Sequence, residues 1–379
     1  MGRPAVVKAL WGAAVLVLVA GCSSGDTGDR SGTAPPSSAP ASARTSAPPS
    51  GGSAAPGARV TVTGTLTEGL KSPWGLAELP DGDLLVSSRD ERTITRVDGR
   101  TGAKTSLGEV PGVVPGGEGG LLGIAVRDGR VYAYLTAESD NRIVRMRYGG
   151  GEGDRLGAPE PVLTGIPKGT VHNGGRIAFG PDGMLYAGTG ETGRTGLAQD
   201  RGSLGGKILR MTPEGRPAPG NPFPGSTVYS YGHRNVQGLA WDPDGRLWAS
   251  EFGQNTWDEL NLVLPGRNYG WPEVEGRAGR AGFVDPVAEW PTSEASPSGI
   301  AYARGAIWLA ALRGERLWRV PLSGAERSGP PEAFLTQEYG RLRTVLAGDG
   351  GQLRLVTSET DTRGTPGPAD DRILKLEVS

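Results

Sequence analysis

Short apolar runs separated by glycine turns fill most of this chain. One unit recurs six times: an apolar strand, a tight turn containing glycine, and a second apolar strand. The copies are Trp74-Gly75-Leu76-Ala77 to Leu84-Leu85-Val86, Leu122-Gly123-Ile124-Ala125 to Val131-Tyr132-Ala133, Arg176-Ile177-Ala178-Phe179 to Met184-Leu185-Tyr186, Gly238-Leu239-Ala240-Trp241 to Leu247-Trp248-Ala249, Gly299-Ile300-Ala301-Tyr302 to Ile307-Trp308-Leu309, and Thr344-Val345-Leu346-Ala347 to Leu353-Arg354-Leu355. Their turn glycines are Gly82, Gly129, Gly183, Gly245, Gly305 and Gly350. A third strand follows each hairpin, with apolar residues alternating with polar ones, as in Ile94-Thr95-Arg96-Val97, Ile143-Val144-Arg145-Met146 and Leu317-Trp318-Arg319-Val320. That alternation marks half-exposed strands. The fourth strand of each unit is poorly marked, and no segment shows a convincing helical period. Residues 60–65 read as an extra strand able to complete the last unit.

All-β units roughly fifty residues long bury their faces only against their neighbours, so the ring must close. The pattern predicts an all-β, six-bladed β-propeller of four-stranded antiparallel blades over residues 58–379. A pair of β-sandwiches is the alternative, but sandwiches do not repeat a hairpin at this period.

Ahead of that domain, Arg3 and Lys8 precede an apolar run at residues 9–20 and then Gly21-Cys22. This order reads as a secretory signal too short for a confident membrane span. Leu18-Val19-Ala20-Gly21-Cys22 resembles the lipobox of bacterial lipoproteins; an ordinary signal peptide with a chance cysteine is the alternative. The resemblance implies a signal peptide at residues 1–21, a lipid on Cys22, and an exported protein anchored to the extracytoplasmic face of a bacterial membrane. Residues 22–57, mostly Ser, Gly, Ala, Pro and Thr, have little to bury and read as a flexible tether.

Composition narrows the chemistry. Lys+Arg 40 against Asp+Glu 41 leaves a net charge of -1, which excludes a basic nucleic-acid footprint over the whole chain. A single cysteine excludes a disulfide framework and a cysteine metal site. Two histidines leave imidazole chemistry to His172 or His233.

A propeller gathers its inter-blade loops at one mouth of the axial channel, so polar residues inside Gly-rich text are the candidates. Glu118 lies in Gly116-Gly117-Glu118-Gly119-Gly120, and His172 in Val171-His172-Asn173-Gly174-Gly175. Glu191 ends the second strand of the same hairpin; a carboxylate on one ring nitrogen orients the other as a base. Arg234, Asn235 and Gln237 precede the fourth hairpin and need partners that a carboxylate- and carbonyl-rich ligand would supply. His233 fits an inter-blade hydrogen-bond network equally well. Around Gly253 and Gln254 the backbone can turn carbonyls toward a hard cation such as Ca²⁺. Arg313 and the Arg341/Arg343 pair lie on the late blades, the pair at a spacing that shares one strand face.

In order and spacing these motifs resemble the soluble quinoprotein glucose/aldose sugar dehydrogenases, six-bladed propellers that bind pyrroloquinoline quinone (PQQ) and Ca²⁺. The resemblance covers nearly all of residues 66–378 and is carried by Gly117-Glu118-Gly119-Gly120-Leu121-Leu122-Gly123, residues 172–186, Leu204-Gly205-Gly206-Lys207-Ile208-Leu209-Arg210, Gly232-His233-Arg234-Asn235-Val236-Gln237-Gly238-Leu239-Ala240 and Asn268-Tyr269-Gly270-Trp271-Pro272. It implies His172 as base and Glu191 as orienting acid, where the family usually has Asp. It implies quinone contacts from Arg234, Asn235, Gln237, Arg313, Arg341, Arg343 and Glu118. The catalytic calcium falls on the carbonyls of Gly253 and Gln254, and a second, structural calcium on the segment holding Glu259 and Tyr269. Three positions depart from relatives: Phe252 stands where some carry a polar residue, Gln254 where proline is common, and Arg313 where some have lysine.

The expected reaction is oxidation of the anomeric C1 hydroxyl of an aldose to the lactone. His172 takes the hydroxyl proton, Arg234 stabilises the quinone oxygen as it gains charge, and hydride passes to the quinone. Two other readings are a lactonase-type propeller hydrolase, with Glu118, Asn173 and Asn235 as metal ligands, and a non-catalytic binding propeller. The pattern names neither the sugar nor the electron acceptor.

Overall fold

The computed structural model describes residues 57–149 and 155–379. The signal peptide, Cys22 and nearly all of the tether lie outside these residues. The described chain forms six antiparallel sheets. Blade one comprises Pro73–Glu78, Leu84–Ser88, Thr93–Val97 and Lys104–Glu109, and blade two Leu121–Arg127, Arg130–Thr136, Asn141–Arg147 and Glu160–Ile166. Blade three comprises Ile177–Phe179, Leu185–Gly188, Lys207–Met211 and Val228–Tyr231, and blade four Val236–Trp241, Leu247–Glu251, Trp257–Val263 and Ala288–Pro291. In blade five, Pro297–Ala303, Ala306–Ala311 and Arg316–Ser323 are followed by two short outer pieces, Glu326–Arg327 and Glu332–Phe334, that both pair with the third strand. Blade six comprises Leu342–Ala347, Gln352–Thr357 and Ile373–Val378, with Val60–Thr67 as its outer strand. Among the described residues the only helical elements are two short 3-10 turns, Thr195–Ala198 and Asp349–Gly351.

The six hairpin turns are tight because each turn glycine adopts a positive φ, from 65° at Gly350 to 86° at Gly82. A side chain with a Cβ is strained there. The first strand of each blade stands beside the first strand of the next, and blade six returns to blade one. One apolar cluster fills each gap between adjacent blades. Leu85 and Ile94 of blade one pack with Val131 of blade two, and Trp248 of blade four packs with Ile307 of blade five. These side chains are fully buried, each contributing about 1.5–3 kcal/mol. No blade has this burial alone, which is why the repeat folds only as a ring.

The expected seam is present. Val60 pairs with Val378 and Val62 with Leu376. Beyond them, Arg59 and Ser379 exchange backbone hydrogen bonds of 3.0 and 3.1 Å. At one mouth, Lys207 fastens a long loop of blade three. It is fully buried, and its Nζ donates to the carbonyls of Leu197 (2.6 Å), Ala198 (3.1 Å) and Gly205 (2.6 Å).

Candidate functional site

His172 sits just before blade three, and Glu191 just after the second strand of that blade, so the hairpin brings both to the same mouth. His172 has φ 51°, a left-handed conformation that costs of order 1–3 kcal/mol and persists only where its surroundings fix it. Its N–H donates to Glu118 Oε2 at 2.8 Å. Its carbonyl accepts from Thr192 N–H at 3.2 Å. Gly190 presses against that carbonyl so closely that a Cβ would lie 1.9 Å from it.

The ring is oriented from both ends. Nδ1 lies 2.5 Å from Oε1 of Glu191, which is only 1% exposed. Nε2 lies 3.0 Å from Nη2 of Arg234. A guanidinium only donates, so Nε2 carries the lone pair and Nδ1 the proton given to Glu191. This is the tautomer of a general base. Arg234 is held by its N–H to Glu251 Oε1, by Nη1 to the Phe252 carbonyl at 3.2 Å, and by the Trp271 ring at 5.4 Å. Burial pushes its guanidinium down from its ordinary pKa, and Glu191 and Glu251 pull it back.

A cavity of about 360 Å³ adjoins this chain of contacts, within the size range of small-molecule sites. Its wall carries five arginines, Arg89, Arg313, Arg341, Arg343 and Arg363, against two carboxylates, Glu118 and Asp361. His172 and Arg234 do not line it themselves; they border it through Glu118 and Phe252. Asp361 gathers Arg341 and Arg343, whose Nη2 atoms reach its Oδ2 at 3.0 and 2.8 Å. Burial raises the Asp361 carboxyl, but Arg343 and Arg341 outweigh it and hold it at about 2. Burial lowers Arg343 to about 10. Gln237 accepts from Ser298 (3.0 Å) and Arg343 (3.1 Å) through Oε1. Arg313 is exposed and makes no hydrogen bond or ion pair among the described residues.

Several buried polar atoms here lack a partner: Glu191 Oε2, Arg234 Nε, Asn235 Nδ2 and Arg341 Nε. Folded proteins rarely leave such groups unpaired. Arg341 Nε is a donor on the cavity wall, and with the excess of arginines it fits a ligand bearing carboxylates and carbonyls; Glu191 Oε2 is an acceptor and calls instead for a donor. Glu118 does line the cavity, but its oxygens are taken by His172 N–H and by Arg363 at 2.7 Å, so its visible task is to brace the histidine. Asn235 does not line the cavity. It is fully buried, and its Oδ1 accepts from Gly174 N–H at 2.9 Å, fixing the turn after His172.

The loop after Phe252 is shaped by carboxylates. Asp258 accepts from Gly253 N–H at 2.8 Å. Glu275 Oε1 accepts from the N–H groups of Gln254, Asn255, Thr256 and Trp257 at 2.7–3.1 Å. With its N–H groups drawn inward, this loop leaves the carbonyls of Gly253 and Gln254 without a hydrogen-bond donor among the described residues, and these are donor atoms a hard cation accepts. Glu259 and Tyr269 are committed within the fold. Glu259 accepts from Gly276 N–H (2.7 Å) and Asn261 (2.9 Å), and burial with Glu251 nearby raises it to about 8. The Tyr269 hydroxyl donates to Leu262 O at 2.6 Å, and its ring stacks on His233 at 4.6 Å. His233 is the network member the sequence allowed, held between Ser230 and Glu251 at 2.8 Å each. Among the described residues no three His, Cys, Asp or Glu side chains gather as a metal site.

Sequence reasoning missed Asp361, Trp74, Arg89, Arg363 and Glu275. A signal for Asp361 was present in the repeats. An acid follows or ends the second strand of blades one, three, four and six, as Asp90, Glu191, Glu251 and Asp361.

The glucose / sorbosone dehydrogenase family matches residues 70–365. Among solved structures, the PQQ-bound form of aldose sugar dehydrogenase from Streptomyces coelicolor is 68% identical, with a TM-score of 0.84 and coverage of 85% of this chain and 99% of that one. The aldose sugar dehydrogenase YliI of Escherichia coli is 30% identical over 334 residues, 78% of this chain and 89% of that protein. Quinoprotein glucose dehydrogenase B of Acinetobacter calcoaceticus is 33% identical over 253 residues, 57% of this chain. The match spans about half of that relative, 53% of its length. With its six blades and its His172–Glu191 mouth, this chain belongs to the glucose/sorbosone dehydrogenase family.

Proposed function

We propose that this protein oxidises the C1 hydroxyl of an aldose to the lactone, with PQQ and Ca²⁺ as cofactors. The observation that carries the reading is the Glu191–His172–Arg234 chain beside an arginine-rich cavity. Arg313, Arg341, Arg343 and Gln237 would hold the quinone's polar edge, and the carbonyls of Gly253 and Gln254 the calcium. When bound, PQQ supplies the two-electron acceptor, polarised by Ca²⁺ as a Lewis acid. His172 Nε2 takes the proton of the sugar hydroxyl, displacing its contact with Arg234. Buried Glu191 then faces the imidazolium and stabilises its charge. General-base help of this kind is worth about 10² to 10⁴ in rate. Arg234, freed from Nε2, is placed to stabilise negative charge at the reacting centre.

The test is reconstitution of the purified protein with PQQ and Ca²⁺, followed by an aldose screen with an artificial dye. Quinone binding and sugar-dependent dye reduction are expected; turnover of no aldose by the loaded protein would overturn the reading. Lactone hydrolysis without quinone would instead support a hydrolase. For that alternative Glu118, Asn173 and Asn235 are poorly disposed, since each is already engaged. Asn173 Oδ1 accepts from Asn141 at 2.9 Å and from Gly169 N–H at 3.0 Å.

The lipobox-like run before Cys22 supports export and lipid anchoring at the extracytoplasmic face of a bacterial membrane. Membrane fractionation of a Cys22→Ser variant tests this, with release from the membrane as the expected outcome.

A further inference from the structure

Arg176 stands at the start of the innermost strand of blade three, and its side chain reaches across the axis. Nε donates to the carbonyl of Gln237 in blade four at 2.7 Å. Nη2 donates to Thr344 Oγ1 in blade six at 3.0 Å. The guanidinium lies 4.4 Å from the ring centre of Trp74 in blade one. Gly299 of blade five is so near that a Cβ there would sit 3.3 Å from Nη2. One cation is thus packed by four other blades and is only 8% exposed.

A buried charge is ordinarily paired. Arg89 has Asp90, and Arg341 and Arg343 share Asp361. Arg176 has no carboxylate partner among the described residues. Its charged neighbour is Arg343, of like sign, which also lies against Trp74 at 5.8 Å. Burial and Arg343 push Arg176 down to about 9, so it stays a cation at neutral pH. Trp74 and Gln237, both in contact with it, are wall residues of the cavity. The site therefore rests on a positive charge that the polypeptide leaves uncompensated.

We propose that Arg176 is a positioning residue for the quinone: its unpaired charge behind Trp74 and Gln237 is matched only when a polycarboxylate enters the cavity, so that cofactor binding and propeller stability are coupled through it. The inference rests on the quinone reading above. A plain structural pin would weaken the cofactor-free and loaded forms equally, whereas charge matching acts on the difference between them.

The experiment is a titration of PQQ into cofactor-free protein, followed by tryptophan fluorescence, with thermal midpoints measured before and after loading. Arg176→Met is expected to raise the Kd about tenfold or more, a usual coupling magnitude, and to shrink the midpoint gain on loading. Arg176→Lys, measured beside the parent at about pH 6 because the same burial and Arg343 would bring a lysine close to neutral at pH 7, is expected to stay within about threefold of the parent. An Arg176→Met protein within about twofold of the parent, or an Arg176→Lys protein as weak as Arg176→Met, overturns the proposal. If Arg176→Met does not fold, a tenfold loss in Arg176→Lys overturns it. If the parent itself fails to bind PQQ, the quinone reading falls, and citrate becomes the probe. The parent should then gain thermal stability from citrate and the variant less, and equal gains would refute the coupling.

Discussion

Asp361→Asn removes the negative charge that gathers Arg341 and Arg343 while nearly preserving shape. The carboxylate is 2% exposed and receives both guanidiniums at 3.0 and 2.8 Å. Its pKa falls from the ordinary 3.8 to about 2, a depression worth about 2 kcal/mol of folding free energy. Leaving buried guanidiniums without their counter-charge costs roughly 3–5 kcal/mol, so the loss at neutral pH should lie at about 2–5 kcal/mol. Because the folded carboxyl is the stronger acid, its contribution is complete above the unfolded pKa. It disappears as pH falls from about 4 toward about 2. Urea unfolding of the cofactor-free parent and variant at several pH values from 7 down to 3 measures the gap. It should be widest at pH 7 and narrow below pH 4. A gap of the same size throughout would mean that packing, not charge, is what Asp361 contributes.

Three further outcomes are expected. Glu191→Gln should lower kcat by about 10² to 10⁴ with little change in KM, since it removes the charge facing the imidazolium; steady-state kinetics of the loaded enzyme reads the split. Gly190→Ala should lower the unfolding midpoint, costing about 1–3 kcal/mol or more of stability, and cut kcat about tenfold or more, because the new methyl would lie 1.9 Å from the His172 carbonyl and shift a ring that must be held tightly. Lys207→Met should destabilise the fold by about 3 kcal/mol, as three carbonyls, those of Ala198 and Gly205 buried, lose their donor, and urea unfolding at neutral pH would show it.

The ring was readable because the inner strands are buried on both sides. Runs such as Leu84-Leu85-Val86 and Ile307-Trp308-Leu309 have no alternative to apolar side chains. The outer strands were faint for the opposite reason. Lys104–Glu109 is largely exposed, and Glu326–Arg327 entirely so, so solvent imposes no pattern on them. At the site, His172 was legible because histidine is scarce, and Arg341 with Arg343 because their spacing shares a face. Asp361 had a faint trace, an acid after the second strand as in blades one, three and four, but its partners show only when blade six folds it beside those arginines. Arg176 read as the edge of an apolar strand; its lack of a counter-ion is a three-dimensional fact with no local trace. Asn235 shows the converse, a residue placed by motif whose carbonyl is spent on a turn.

The reciprocal hydrogen bonds between Arg59 and Ser379 have a practical corollary for protein engineering. The two positions are close enough for a short peptide linker, and the gene could then be reopened in any exposed turn, such as the one at Gly129 or Gly305. Such circular permutants should keep every interface between blades. Deleting a few residues past Arg59, by contrast, would strip the outer strand from blade six and leave Ile373–Val378 as a raw sheet edge, an invitation to self-association.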